Sequence, residues 1–173
     1  RSTISSSLIE RVALPTEWRF LLITPTEQVG LHGEHEQSAF DDLPPVPTAT
    51  TVELTSIMND RIVPCAKASD FAGFGDAVHD FGFLAGSCFK PVQGSAYNGA
   101  TLTELVKRLR THGVRGVGQS SWGPTIFTIC EDEPSARQLV DDMRSGGWCS
   151  NCETVIAKPN NCGATVTHER SVQ

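Results

Sequence analysis

No apolar run in this chain approaches the roughly 18 residues that would suggest a membrane span. The longest, Phe20 to Ile23, is of strand length, so no membrane partner is expected. The N-terminal stretch RSTISSSLIERV lacks the long apolar core of a secretory signal. It also lacks an initiating methionine, which reads as a processed or truncated chain. Concentrated positive charge is missing too. Lys and Arg number 14 against 20 Asp and Glu, for a formal net charge of −6. The densest basic cluster, Lys107, Arg108 and Arg110, falls on one expected helix. Electrostatic nucleic-acid binders gather Lys and Arg on a face, so no nucleic-acid partner is expected. An acidic balance still admits anionic small molecules, because backbone N–H groups hold phosphate without any Lys or Arg.

With 173 residues, 39% of them apolar, the chain suits one compact domain that buries most of its apolar surface without staples. Residues 1–12 read as a loose Ser-rich segment and 13–173 as the domain. Cys65, Cys88 and Cys130 sit in or beside apolar runs, as buried free thiols do. A sufficient core and no signal favour a reducing cytoplasm over a disulfide scaffold.

Trp18 to Thr24 is a strongly apolar strand ended by Pro25. Glu34 to Asp42 reads as a short helix and Leu43 to Pro47 as a Pro-rich break. Thr51 to Val63 and Asp70 to Phe89 carry helical apolar spacing, with Asp70 placed as an N-cap. Pro91 to Gly99 is a loop. Thr101 to His112 is an amphipathic helix stopped by Gly113. Val114 to Gly118 and Thr125 to Cys130 are strands around a turn. Ser135 to Met143 is a helix with Pro134 at its start. Glu153 to Ala157 is a last strand, and Gly163 to Thr167 a further extended piece. This order predicts an α+β fold: a ferredoxin-like antiparallel sheet with helices on one face and an added helical stretch before the turn.

The turn is unusual in composition. Gly116, Gly118 and Gly123 allow a close approach of ligand to backbone. Gln119, Ser120, Ser121 and Thr125 add short polar groups, and Trp122 adds a flat apolar surface. A plain hairpin needs only two turn residues, and an uncharged polar run is unfavourable if buried without partners. A ligand rich in acceptor oxygens would satisfy it; an elaborate turn capped by Trp122 is the bland alternative. The GK[ST] ending of a P-loop is absent, and a strand rather than a helix follows, unlike a Rossmann fingerprint. GQSSWG does not fit G-x-S-x-G, so a nucleophilic Ser120 or Ser121 is weakly supported.

Elsewhere, GLHGEHE holds His32, Glu34, His35 and Glu36 without the HExxH zinc pattern. Cys149, Cys152 and Cys162 have partial metal-ligand spacing with only His168 nearby, so solvent-facing thiols or a disulfide are favoured and no metal site is expected. Asp76 flanks the FAGFG segment, Glu131 to Glu133 form a solvated acidic connector, and His79 and His112 have no partner visible in sequence.

The blocks LPTEWRFLLITP, GLHGEHEQSAF, IVPCAKASDFAGFGDAV, PVQGSAYNG, GVGQSSWGPT and KPNNCGATV, in that order, resemble the beta-ribofuranosylaminobenzene 5'-phosphate synthase family, a branch of the GHMP kinase superfamily. The resemblance implies a GHMP C-terminal domain. It also implies coupling of phosphoribosyl pyrophosphate to an aminobenzoate with loss of pyrophosphate and carbon dioxide, an early step of tetrahydromethanopterin synthesis. GVGQSSWGPT matches the third GHMP segment, beside the phosphate site. Gly116, Gly118, Gln119, Ser120, Ser121, Gly123 and Thr125 are then expected around phosphate, Trp122 beside the aromatic or ribose part, Gln93 close by, and His32 and Glu36 facing substrate. Mg²⁺ is the cofactor such a step admits. The family's proteins are about twice this length, so the N-terminal half is an implied partner; a homodimer is also allowed. An ATP-dependent small-molecule kinase and a non-catalytic phosphosugar-binding domain are the alternatives.

Overall fold

The computed structural model describes residues 8–27, 34–148, 151–164 and 166. Its centre is a four-stranded antiparallel sheet of β1 (Arg19–Pro25), β2 (Val117–Gln119), β3 (Ile126–Cys130) and β4 (Cys152–Ala157), in the spatial order β2-β3-β1-β4. β1 lies between two partners from the far end of the sequence: Leu21 opposes Thr128 on one side and Ile156 on the other. With α6 (Gly99–Thr111) between β1 and β2 and α7 (Glu133–Ser145) between β3 and β4, the frame is the β-α-β-β-α-β arrangement of ferredoxin-like domains.

Alternation along the strands builds two cores. Leu21 and Ile23 of β1, with Val117 and Ile126, point to the face covered by α6 and α7. There they meet Leu102, Leu105, Val106 and Leu109 of α6 and Ala136, Leu139, Val140 and Met143 of α7. Phe20, Phe127 and Ile129 point the other way, into a smaller cluster with Trp18, Ala66, Phe74 and Val78. The helical stretch inserted between β1 and α6 supplies that second cluster. It comprises α1 (Glu34–Asp41), α2 (Thr48–Ser56), a π-helical turn (Ile57–Ile62), α3 (Val63–Ala68), α4 (Phe71–Ser87) and the single turn α5 (Lys90–Gln93).

The helix expected over Thr51 to Val63 is longer, running from Thr48 to Ala68 through the π-helical turn. Pro64 accounts for the irregularity: it has no N–H, and its ring crowds the carbonyl four residues back, at Asp60. α3 ends at Ser69, whose φ is 55°. Asp70 then caps α4, accepting the Gly73 amide at 3.0 Å. Gly113, with φ 93°, stops α6. Residues 90–93, at the edge of the expected loop, form one helical turn because Pro91 suits a first-turn position. The described residues of the extended piece expected at 163–167 carry no strand.

The basic cluster on α6 is paired: Arg108 and Lys107 meet Glu104, and Arg110 shares Asp76 of α4 with Arg115. Among the described residues, no helix is long and apolar enough to cross a membrane.

Asp132 caps α7, accepting the Ser135 amide at 2.8 Å. Hydrogen bonds from Ser135 hold its carboxyl below the usual carboxylate range. The stabilisation from this cap is therefore present above the ordinary carboxylate pKa and lost as pH falls through the lowered folded value. Asp132→Ala should lower the thermal midpoint at pH 7, and its gap from the parent should narrow below about pH 4. A gap of the same size at pH 7 and at low pH would show that the ionised cap is not what was removed.

Candidate functional site

β2 and β3 pair with Gly118 opposite Phe127 and Gln119 opposite Ile126. The turn between them closes through Ser120 N–H to Thr125 O and Gly123 N–H to Ser120 O, both at 2.9 Å. Ser121 has a φ of 49°, Gly123 a φ of 73°, and the Gly123–Pro124 peptide is cis. The Thr125 hydroxyl meets that of Thr24 at 2.9 Å, tying the turn to β1. Ser120 and Ser121 are exposed. Their hydroxyls and the Ser121 amide find no hydrogen-bond partner among the described residues.

Several of the other expected residues lie behind these two serines. Gly116 and Gly118 lie below the turn and are buried. A Cβ on Gly118 would stand 2.5 Å from the Phe127 ring, and one on Gly116 would stand 2.8 Å from Ile129. These glycines thin the edge of the sheet so that β3 side chains can fold across it. Trp122 is 3% exposed. Its ring packs edge-on against Phe40 of α1 and Phe89, at centroid distances of 5.3 and 4.9 Å. It is thus an anchor for the turn rather than an open wall. Glu36 is half-buried on α1, one helical turn from Phe40. His32 lies outside the described residues.

Gln119 organises the neighbourhood. Its Oε1 accepts the Asn98 amide at 2.7 Å, and its Nε2 donates to Ser121 O at 2.9 Å and to Gln93 Oε1 at 3.2 Å. Gln93, itself buried, donates to Gly86 O of α4 at 3.1 Å. Asn98 Nδ2 donates to Trp122 O at 2.8 Å. One side chain therefore joins the turn, the 94–98 loop and α5, and Gln93 carries the link on to α4. Sequence reasoning missed Asn98, Phe40 and Phe89; Asn98 directly before Gly99 reads only as a helix N-cap.

Beside the turn, an apolar slot of about 430 Å³ opens between the π-helical turn, α4 and β3, with Gln119 and Ser121 at its edge. A cleft of about 550 Å³ lies at the opposite end of the sheet, against His112, Arg115 and Asp142. Its polar groups are already engaged. His112 Nε2 is 3.0 Å from Asp142 Oδ2, and hydrogen bonds from Gln138 and then His112 hold the Asp142 carboxyl below its usual range. Arg115 is paired with Asp76. Cys152 is disulfide-bonded, which removes it as a thiolate ligand. Cys65, Cys88, Cys130 and Cys162 are free thiols, and burial pushes the buried Cys130 thiol up. Among the described residues, no three His, Cys, Asp or Glu side chains gather where they could hold a metal.

Residues 62–147 match the family model described as GHMP kinases C terminal. The chain carries a GHMP kinase C-terminal domain. β1 and β4, on either side of the matched span, complete the sheet of this GHMP domain. Its curated relatives include beta-ribofuranosylphenol 5'-phosphate synthase of Methanothermobacter thermautotrophicus, 23% identical over 127 residues, which cover 73% of this chain and 37% of the relative. The protein of the same name from Archaeoglobus fulgidus is 27% identical over 161 residues, covering 92% and 47%. The chain thus spans less than half the length of either relative. Among solved structures, mevalonate pyrophosphate decarboxylase from Streptococcus pyogenes aligns with a TM-score of 0.64 at 14% identity, covering 90% of this chain and 48% of that one. Homoserine kinase from Cytophaga hutchinsonii aligns with a TM-score of 0.61 at 17% identity, covering 84% and 42%. These two likenesses establish the fold.

Gln119→Leu keeps the side chain's bulk and removes three hydrogen bonds, leaving the Asn98 amide and Gln93 Oε1 without partners. A loss of about 1–3 kcal/mol in unfolding free energy is expected, measured by urea denaturation. A loss below about 0.5 kcal/mol would show that the turn does not depend on this side chain.

Proposed function

We propose that this chain supplies the C-terminal half of the active site of a transferase like beta-ribofuranosylphenol 5'-phosphate synthase. In this reading the ribose of phosphoribosyl pyrophosphate is joined to a small aromatic acid, within tetrahydromethanopterin biosynthesis. The sequence resemblance implies an aminobenzoate as acceptor, whereas the relatives' names carry a phenol. A synthase is favoured over an ATP-dependent kinase because both of these curated relatives are synthases.

One observation carries the reading at the level of atoms: the exposed Ser120 and Ser121 hydroxyls and the Ser121 amide stand unbonded on a turn held by Gln119 and Trp122. As the bond from ribose C1 to pyrophosphate breaks, C1 becomes cation-like and negative charge gathers on the departing oxygens. Donors fixed in advance stabilise that charge without reorganising during the step. Ser120 and Ser121 are placed to donate to phosphate oxygens in this way. Glu36 and His32 are proposed to face the same substrate.

Neutral donors balance only part of a pyrophosphate's charge. The rest is assigned to the N-terminal half, so turnover belongs to the full-length protein. The described residues alone do not build a magnesium site.

Titration calorimetry of the full-length protein tests the proposal. Replacing both Ser120 and Ser121 by Ala should weaken phosphoribosyl pyrophosphate binding by about tenfold or more, two lost hydrogen bonds to a charged group. Unchanged affinity, or ATP binding that competes with equal strength, would count against it.

A further inference from the structure

The apolar slot beside the turn has a ligand chemistry of its own. Met58 and Ile62 of the π-helical turn form one wall, Val78 and Phe81 of α4 another, and Phe127 of β3 the floor; no charged side chain lines it. The amide of Gln119 at its edge is engaged on both atoms. The Ser121 hydroxyl is left as the free hydrogen-bonding side chain there.

Two features set the slot apart from an ordinary surface crease. α4 is apolar around most of its circumference, through Phe71, Phe74, Val78, Phe81, Phe83 and Leu84, yet of these only Phe74 is fully buried. Such a helix normally lies in an interior, and part of its remaining apolar surface faces the slot. The opposite wall is the π-helical turn, a rare backbone form concentrated at functional sites. The volume lies within the range of small-molecule sites, which are mostly apolar with a few placed polar groups.

We propose that the slot holds the planar ring portion of the reacting pair, whose pyrophosphate portion sits at Ser120 and Ser121. The placement of the two portions rests on the phosphate reading of the turn. A charged group in the slot would lose its water with no counter-charge in return, so the slot takes the apolar body of the ring and leaves the carboxylate of the aromatic acid outside it. Phe81 and Phe127 offer it edge and face contacts, and Ser121 is the residue common to both portions.

Gly82 controls the depth of the slot. It lines the slot, and a Cβ there would meet nothing closer than the Cα of Gly118, at 3.8 Å. Gly86, which also lines the slot, differs: a Cβ there would stand 2.2 Å from Ala96 O. The slot can therefore be filled from Gly82 without disturbing the fold. Gly82→Ala also improves helix propensity, which makes it the control for folding, and Gly82→Val fills further.

In the full-length protein, phenol and inorganic pyrophosphate serve as separate probes, each titrated by ligand-observed NMR. Gly82→Val should weaken phenol binding about tenfold, with Gly82→Ala intermediate, and should leave pyrophosphate affinity within about twofold. The Ser120→Ala, Ser121→Ala double variant should weaken pyrophosphate more than phenol. Benzylamine, charged at neutral pH, should bind far more weakly than phenol. Phenol binding that is absent from the parent protein, or unchanged in Gly82→Val and Gly82→Ala with thermal midpoints intact, overturns the slot. Pyrophosphate binding that ignores the serine substitutions overturns the phosphate reading instead, while the phenol titrations still decide the slot.

Discussion

The Gln119 side chain satisfies three separate pieces of chain at once, and the site takes its shape from that. A primary amide offers two donors and an acceptor in a fixed plane. Here they meet Ser121 O, Gln93 Oε1 and the Asn98 amide. Partly buried polar groups are stabilising only when partnered, so the positions of the turn, the loop and α5 are mutually fixed. Trp122 adds the apolar counterpart, held between Phe40 and Phe89. The polar run of the turn therefore divides by role: Gln119 builds the scaffold, and Ser120 and Ser121 are presented on it.

The two faces of the sheet divide in the same way. α6 and α7 close one face with aliphatic side chains, giving the GHMP domain its stable body. The other face carries the inserted helices and an aromatic cluster around Trp18 and Phe74, and both the turn and the slot border that side. Gly75 lets α4 approach the start of β2 closely: a Cβ on it would stand 3.0 Å from Gly116 N. A side chain there would push α4 away from the edge of the sheet.

Much of the frame was legible because local signals and burial agree. α6 shows helical spacing of Leu102, Leu105, Val106 and Leu109, and all four are buried. Asp70 and Gly113 act as the cap and the stop their residue types suggest. The π-helical turn was not legible, since apolar spacing cannot separate it from an α-helix and Pro64 acts through a single missing bond. The turn was legible as a centre but not in its division of labour. Whether Trp122 faces ligand or protein depends on Phe40 and Phe89, which lie 82 and 33 residues away in sequence. The slot draws on residues between 58 and 127 and leaves no local pattern at all.

β1 is the first strand among the described residues, yet it sits in the middle of the sheet. Leu21 waits for Thr128 on one side and Ile156 on the other. No part of the central ladder can form from neighbouring sequence, so the loop-closure entropy falls due before any of its pairings is in place. During synthesis one flank of β1 remains open until β3 has emerged, and the other until β4 has. A chain cut short before β4 would keep one flank of β1 unpaired and ready to take a strand from another molecule.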